Sequence, residues 1–155
     1  MKLLLPLLSI FFLLSYDGIA QDTVFHKVTT EYESTITKHR YDLYAIAKYF
    51  GKIDTVFKYD YGAYMHVKID DVVIVNNHHF CIYETVNNVS YSVYEYTGHK
   101  WVPLMGGALF FFNNSNEKVD VSVMDKDKIR VTRPQKTVIY KLDFLRKAIE
   151  VYDDK

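Results

Sequence analysis

Hydrophobic and polar residues alternate along most of the chain with a period of two, which is typical of strands with one buried face. The clearest case is residues 118–123, where Val119, Val121 and Val123 stand between polar neighbours. Turn-forming residues separate such segments roughly every eight to twelve positions. The pattern therefore predicts a mainly β protein, built as an antiparallel sandwich or barrel.

The strongest hairpin signal is the stretch from His79 to Trp101. Its two runs of aromatic and β-branched residues are joined by Asn87-Asn88, and a turn containing Gly98 leads to the single Trp. Asn tolerates the positive φ that a two-residue hairpin turn requires. We therefore expect two paired strands on either side of this Asn pair.

Two segments carry helical features. The Ala-containing residues 38–50 are followed by Gly51, which favours a helix near residues 40–50 with a glycine cap. Alternate residues of the same segment would also line one face of a strand, and this alternative stays open: Tyr41, Leu43, Ala45, Ala47 and Tyr49. A three-to-four spacing near the end predicts a C-terminal helix packed on the sheets: Leu142, Leu145, Ile149 and Tyr152.

The N-terminus has the features of a secretory signal peptide. Met1-Lys2 precedes an apolar stretch over residues 3–14, and Gly18-Ile19-Ala20 suits a signal peptidase. The apolar stretch is shorter than the roughly 20 residues of a membrane span. We expect a signal peptide at 1–20, a single β-rich domain at 21–155, and secretion.

Charge narrows the classes of partner. The chain has 19 basic and 19 acidic residues and no formal net charge. A nucleic-acid-binding protein would show a basic face, and a protein drawn to anionic membranes would show a polybasic cluster. Proteins and small molecules remain as partners, with no nucleic acid and no membrane after signal cleavage.

Cys81 is the only cysteine, so no disulfide can form within the chain. We expect it to be a buried strand residue that packs as a small apolar group. The alternatives are a cross-link between two chains and a nucleophile.

Catalytic motifs do not emerge from the sequence, and we expect neither an enzyme nor a cofactor. His78 and His79, with His66, are the best candidates for metal ligands, but neighbouring strand residues point to opposite faces. We therefore expect no metal site. Glu84 and Glu95 could form a carboxylate pair if they lie on adjacent strands.

One face of the second hairpin strand is the candidate binding surface. If Val89, Tyr91 and Val93 face the core, the other side becomes a Ser/Tyr surface. Tyr, Trp and Ser are common in recognition surfaces because they give large contact area at low entropic cost. The candidate partner-binding residues are Tyr94, Tyr96, His99 and Trp101. Aromatic pairing across strands would explain the same pattern without a partner.

Two triplets fit the acceptor pattern for N-glycosylation. They are Asn88-Val89-Ser90 and Asn113-Asn114-Ser115, and both fall in predicted turns. Asn88 and Asn113 are therefore candidate glycan acceptors.

Two stretches of the sequence resemble a known family. Val-Tyr-Glu-Tyr-Thr-Gly-His-Lys-Trp stands at 93–101, and Lys-Val-Asp-Val-Ser-Val-Met-Asp-Lys-Asp-Lys-Ile-Arg-Val at 118–131. With the signal peptide, this pattern resembles the FAINT domain of secreted Theileria proteins, related to the SfiI-subtelomeric-fragment family. The likeness spans residues 54–132. It implies export into a host cell and a non-enzymatic role in parasite–host interaction.

Two functions are compatible with these features. The first is a secreted, non-enzymatic interaction module that binds a protein partner, a host protein if the resemblance holds. The second is a carrier of a small apolar ligand, built like a lipocalin. A carrier would enclose its ligand between strands, whereas an interaction module would bind on its surface.

Overall fold

The computed structural model describes residues 22–60, 67–111 and 119–154. These residues form twelve antiparallel strands in three four-stranded sheets. The first sheet contains β1 Asp22–Val28, β2 Tyr32–His39, β3 Asp42–Tyr49 and β4 Lys52–Asp60. The central sheet contains β5 Lys68–Val75, β6 His78–Glu84, β7 Asn88–Tyr96 and β8 Trp101–Phe111. The third sheet contains β9 Asp120–Asp125, β10 Lys128–Arg133, β11 Lys136–Asp143 and β12 Ala148–Asp153.

Each sheet is a meander in which consecutive strands pair, so every sheet is open and has two edge strands. The prediction of a mainly β antiparallel fold is confirmed. The described strands form no closed barrel, and no α-helix occurs among residues 22–60, 67–111 and 119–154.

The central sheet is covered on both faces. A first core packs between the first and central sheets and includes Ile36, Ala45, Phe57, Val72 and Trp101. A second core packs between the central and third sheets and includes Ile82, Val93, Phe110, Val131 and Leu142. A sheet buried on both faces needs apolar residues on both, which explains the nearly continuous burial of β6 and β7.

The helix expected near residues 40–50 is wrong, and the strand alternative is confirmed. Alternate residues of β3 are buried: Leu43, Ala45, Ala47 and Tyr49. β3 pairs along its whole length with β2 on one side and β4 on the other. Pairing on both sides outweighs the helix propensity of two alanines, which is a weak preference. Gly51, at φ +74°, lies in a hairpin turn rather than at a helix cap.

The C-terminal helix is also wrong. Leu142 and Ile149 are cross-strand partners in the β11–β12 hairpin, so they share a face because they pair. The turn between them holds Leu145, which is 97% exposed, and Lys147 at φ +52°. The apparent helical spacing therefore arose from a strand, a four-residue turn and a returning strand.

The predicted hairpin is confirmed as β6–β7, with a different connection. Strand β7 begins at Asn88, and the chain turns through residues 85–87. The Asn residues with positive φ are Asn76 and Asn77, at +49° and +65°, in the turn between β5 and β6. The Asn pair at 87–88 was therefore the wrong place to expect the left-handed turn.

Candidate functional site

The Ser/Tyr face of β7 lies inside the molecule. Tyr96 and Trp101 are each 7% exposed, and Tyr94 is half-buried against the first core. The prediction that this face is an outer surface is wrong, because the first sheet covers it. Of the four candidate partner-binding residues, only His99 is exposed.

Tyr96 and Trp101 form an aromatic cluster with Tyr49 across the two sheets. The ring centroids of Tyr96 and Trp101 are 5.0 Å apart, and those of Tyr49 and Trp101 are 5.8 Å apart. The Tyr49 hydroxyl donates to Asn77 Oδ1 at 3.2 Å and accepts from the Asn77 backbone N–H at 3.3 Å. The cluster therefore anchors the turns of the first and central sheets to each other.

Hairpin turns from all three sheets meet at one end of the stack, which we call the turn end. The Lys52 ammonium donates to the Gly98 carbonyl at 3.4 Å, and the His78 ring stacks on Phe144 at 4.0 Å. The turn end consists of residues 29–31, 50–51, 76–77, 97–100, 126–127 and 144–147. His99 lies here, in the exposed turn between β7 and β8.

Phe50 is the most prominent apolar side chain beside this aromatic cluster. It is 71% exposed, its φ is +50°, and its ring centroid lies 4.2 Å from that of Tyr49. A bulky residue in the left-handed region is a genuine outlier, since Gly or Asn would adopt it more easily. The sequence did not single out Phe50, because Gly51 suits a helix cap; the available signal was a Phe-Gly pair between two alternating segments.

Two open clefts flank Phe50. A larger one, of about 720 Å³, is lined by Glu31, Tyr49, Asn77 and Lys126, among others. A smaller one, of about 400 Å³, is lined by Lys52 and by the 96–98 segment. Lys52, Lys126 and Glu31 are the charged residues that line them, so lysine predominates around the aromatic ring.

Exposed aliphatic residues continue this surface onto the outer face of the first sheet. Val28 pairs with Glu33, Glu33 with Lys48, and Lys48 with Ile53, which makes one row across four strands. Val28 is 64% and Ile53 72% exposed. The row therefore places two apolar side chains at the edges and an opposite-charge pair between them.

The histidine pair does not assemble a metal site. His79 is fully buried, with its Nε2 3.3 Å from Ser34 Oγ, whereas His78 stacks on Phe144. Burial lowers the pKa of His79 from 6.5 to about 3, so its imidazole is neutral at ordinary pH. Within the described ranges, no three His, Cys, Asp or Glu side chains come together as a ligand set. His66 lies outside the described residues.

Cys81 is buried in the first core at 1% exposure. Burial, followed by the charges of Asp70 and Asp71, raises the pKa of its thiol. The expectation of a buried strand cysteine is confirmed, and a buried, protonated thiol is a poor nucleophile.

The two glutamates proposed as a carboxylate pair lie at opposite ends of the β6–β7 hairpin. Glu84 pairs with Val89, and Glu95 pairs with His78. Lys68 instead contacts Glu84 at 3.5 Å and Asp70 at 3.1 Å. The hairpin register therefore keeps Glu84 and Glu95 from acting together on one bond.

The Asn88 side chain is already engaged within the chain. Its Oδ1 accepts hydrogen bonds from Thr85 Oγ1 at 2.7 Å and from Ser90 Oγ at 2.6 Å. These two bonds hold the start of β7. Asn113, the second candidate acceptor, lies outside the described residues.

Comparisons with known proteins identify no relative of this chain. No protein-family model, no curated protein and no solved structure matches this chain. The resemblance to the FAINT domain therefore stays a prediction. Among the described residues, no helix has the length and apolar character needed to cross a membrane.

Proposed function

We propose that this protein is a secreted, non-enzymatic interaction module that binds a partner protein at the turn end. The observation that carries the proposal is the placement of Phe50. An aromatic side chain with a strained backbone and 71% exposure stands where Asn or Gly would make a more stable turn. Residues held in such conformations cluster at functional sites, where the surrounding structure keeps them in place.

The surroundings of Phe50 suit a protein partner. Aromatic residues act as anchors at interfaces, and a polar rim around them sets orientation. The rim here contains Asn77, Lys52 and Lys126, with Glu31 as its acidic member. The partner segment would place an apolar side chain in a cleft beside Phe50 and acidic groups near the lysines.

A rigid base supports this role. Tyr49 and Asn77 are linked by two hydrogen bonds, and Tyr49 packs against Trp101 behind the turn. A turn held in place before binding loses less entropy on association. Of the four sequence-predicted residues, Tyr96 and Trp101 therefore contribute behind the surface, and only His99 would touch the partner.

Secretion is the second part of the proposal. It rests on the basic start, the apolar residues 3–14 and the small residues at 18–20. The resemblance to the FAINT domain makes a host protein the expected partner. N-terminal sequencing of the protein recovered from medium should begin at Gln21; retention in the cell with an intact N-terminus would contradict secretion.

Site-specific photo-crosslinking tests the binding surface. A benzophenone amino acid is placed at position 50, and at position 41 as the control, because Tyr41 is an exposed aromatic in the β2–β3 turn at the opposite end. Position 50 should crosslink one defined protein, which mass spectrometry identifies, and excess wild-type protein should compete it away. Excess Phe50→Asn protein should fail to compete. The same products from positions 41 and 50, or none from position 50, would contradict the proposal.

A further inference from the structure

A separate cleft of about 280 Å³ opens along the edge where β4 and β8 approach each other. It lies beside the middle of β8 rather than at the turn end. Seven residues line it: Tyr59, Ser92, Tyr94, Pro103, Leu104, Met105 and Gly106. None of these carries a charge.

Ser92 supplies an unused hydrogen-bonding group to this cleft. The residue is 2% exposed, and its Oγ has no hydrogen-bond partner among residues 22–60, 67–111 and 119–154. Ser90 lies two residues away on the same face of β7, and its hydroxyl donates to Asn88 Oδ1 at 2.6 Å. A buried hydroxyl that forms no hydrogen bond costs free energy, so such a group in a cleft wall points to a ligand.

Tyr59 and Tyr94 form the aromatic wall of the cleft, and both pack against Phe57 in the first core. The Tyr94 ring stacks on Phe57 with centroids 5.3 Å apart, and the Tyr59 ring lies 5.1 Å from Phe57. Burial, and then a hydrogen bond with Tyr59, raise the pKa of Tyr94, which keeps this phenol neutral. A flat molecule can therefore pack against rings whose positions are already set.

The β8 side of the cleft is shaped by a bulge. The register between β7 and β8 shifts between Val93 and Tyr94, which brings Pro103 opposite Tyr94 and leaves Leu104 as the extra residue. Gly106 pairs with Ser92, and a Cβ there would lie 3.2 Å from the Tyr91 carbonyl oxygen. The absence of a side chain at Gly106 keeps the strand close to β7, and no Cβ stands beside Ser92 on β8.

We propose that this cleft binds a small, neutral, ring-shaped molecule that carries one hydroxyl or amine group, with that group hydrogen-bonded to Ser92 Oγ. The volume is below the range of typical drug-sized sites, which favours one or two fused rings over a lipid chain. An anion or a cation would lose its hydration against these walls without gaining a charged partner. This site is independent of the partner surface at the turn end.

Three related probes separate the contributions to binding. 2-Naphthol has the ring and the hydroxyl, naphthalene has the ring alone, and naphthalene-2-sulfonate has the ring with a charge. Affinities for the purified protein are measured by calorimetry, and the ring resonances of Tyr94 and Tyr140 are followed by NMR. Tyr140 lies on β11 in the second core and reports binding elsewhere.

The expected result is binding of 2-naphthol at one site, with a shift of the Tyr94 ring resonances and no shift at Tyr140. Naphthalene should bind about threefold to tenfold more weakly, since one hydrogen bond is missing. Ser92→Ala should lower the affinity for 2-naphthol to that for naphthalene. Naphthalene-2-sulfonate should not bind.

Ser90→Ala is the matched control, because it removes a neighbouring hydroxyl that already has a partner. It should leave the affinity for 2-naphthol unchanged even if it lowers the stability of the fold. The proposal is overturned if 2-naphthol does not bind, if Tyr140 shifts in place of Tyr94, or if Ser92→Ala and wild type bind it equally.

Discussion

The Nε2 atom of His79 lies 3.3 Å from Oγ of Ser34, in the core that joins the first sheet to the central sheet. Both residues are fully buried. The His79 ring lies edge-on to the rings of Phe57 and Trp101, at 6.1 and 5.8 Å between centroids. A titratable side chain is therefore held neutral among uncharged groups, and its only described polar side-chain partner is a serine on the opposing sheet.

His79 should make the fold sensitive to acid. Its pKa is about 3 in the folded state and near 6.5 when unfolded, so the unfolded chain binds the proton over this interval. The free energy of unfolding therefore falls as the pH drops from about 6.5 towards 3, by roughly 2–3 kcal/mol at pH 4.5. Urea unfolding at pH values between 7 and 4.5 measures this decrease in the free energy of unfolding.

The His79→Gln variant should lose this part of the pH dependence, because glutamine stays neutral and can still contact Ser34. His26→Gln is the control, since His26 is half-exposed and contacts Glu33 at 3.1 Å. An acid-induced loss in His79→Gln as large as in wild type would show that carboxylates alone cause it.

The thiol of Cys81 should be protected in the native protein. It is buried, and its raised pKa leaves little thiolate at pH 8. Reaction with a thiol reagent should be at least about a thousandfold slower than in urea, because the core must open first. Cys81→Ser should lower the free energy of unfolding by about 1–3 kcal/mol through a buried hydroxyl. Rapid labelling of the folded protein would contradict this.

Trp101 should matter for stability far more than its position beside an exposed turn suggests. Trp101→Ala should lower the free energy of unfolding by about 3–5 kcal/mol, since it removes a large side chain from the first core. His99→Ala, two residues away and exposed, should change it by less than about 0.5 kcal/mol. Urea unfolding followed by circular dichroism compares the two. A loss below about 1 kcal/mol for Trp101→Ala would place this residue outside the core.

Phe50→Asn should stabilise the fold while it removes partner binding. Asn adopts the positive φ at this turn more easily. The free energy of unfolding should therefore rise by about 0.5–1 kcal/mol, even though the ring contact with Tyr49 is lost. Arg40→Asn relieves the same backbone strain at the opposite end of the stack, where φ is +52°, and should leave partner binding unchanged. Thermal unfolding measures the first effect and crosslink competition the second. A destabilised Phe50→Asn variant would mean that Phe50 is retained for the fold.

Local signals predicted much of this architecture. The alternation of Val119, Val121 and Val123 leads into β9, and Pro103 lies in β8, an edge strand, where a residue without an N–H to donate is tolerated. The pairing of β6 with β7 also followed from their composition. These features depend on side-chain periodicity and backbone chemistry, which neighbouring residues in the sequence carry.

Other features depended on contacts between distant residues. The alanines of β3 were compatible with a helix until pairing with β2 and β4 decided for a strand. Leu142 and Ile149 share a face through pairing, and their spacing of seven residues would look the same in a helix.

The sequence by itself determined that the chain is rich in strands, that β7 has a Val/Tyr face and a Ser/Tyr face, and that Cys81 lies in a strand. Only the tertiary structure decided that both faces of β7 are inner faces, because two separate sheets cover the central one. Tyr96 and Trp101 therefore belong to the core, while the exposed aromatic is Phe50. Periodicity distinguishes the two sides of a strand, but which side meets water depends on the sheets that pack against it.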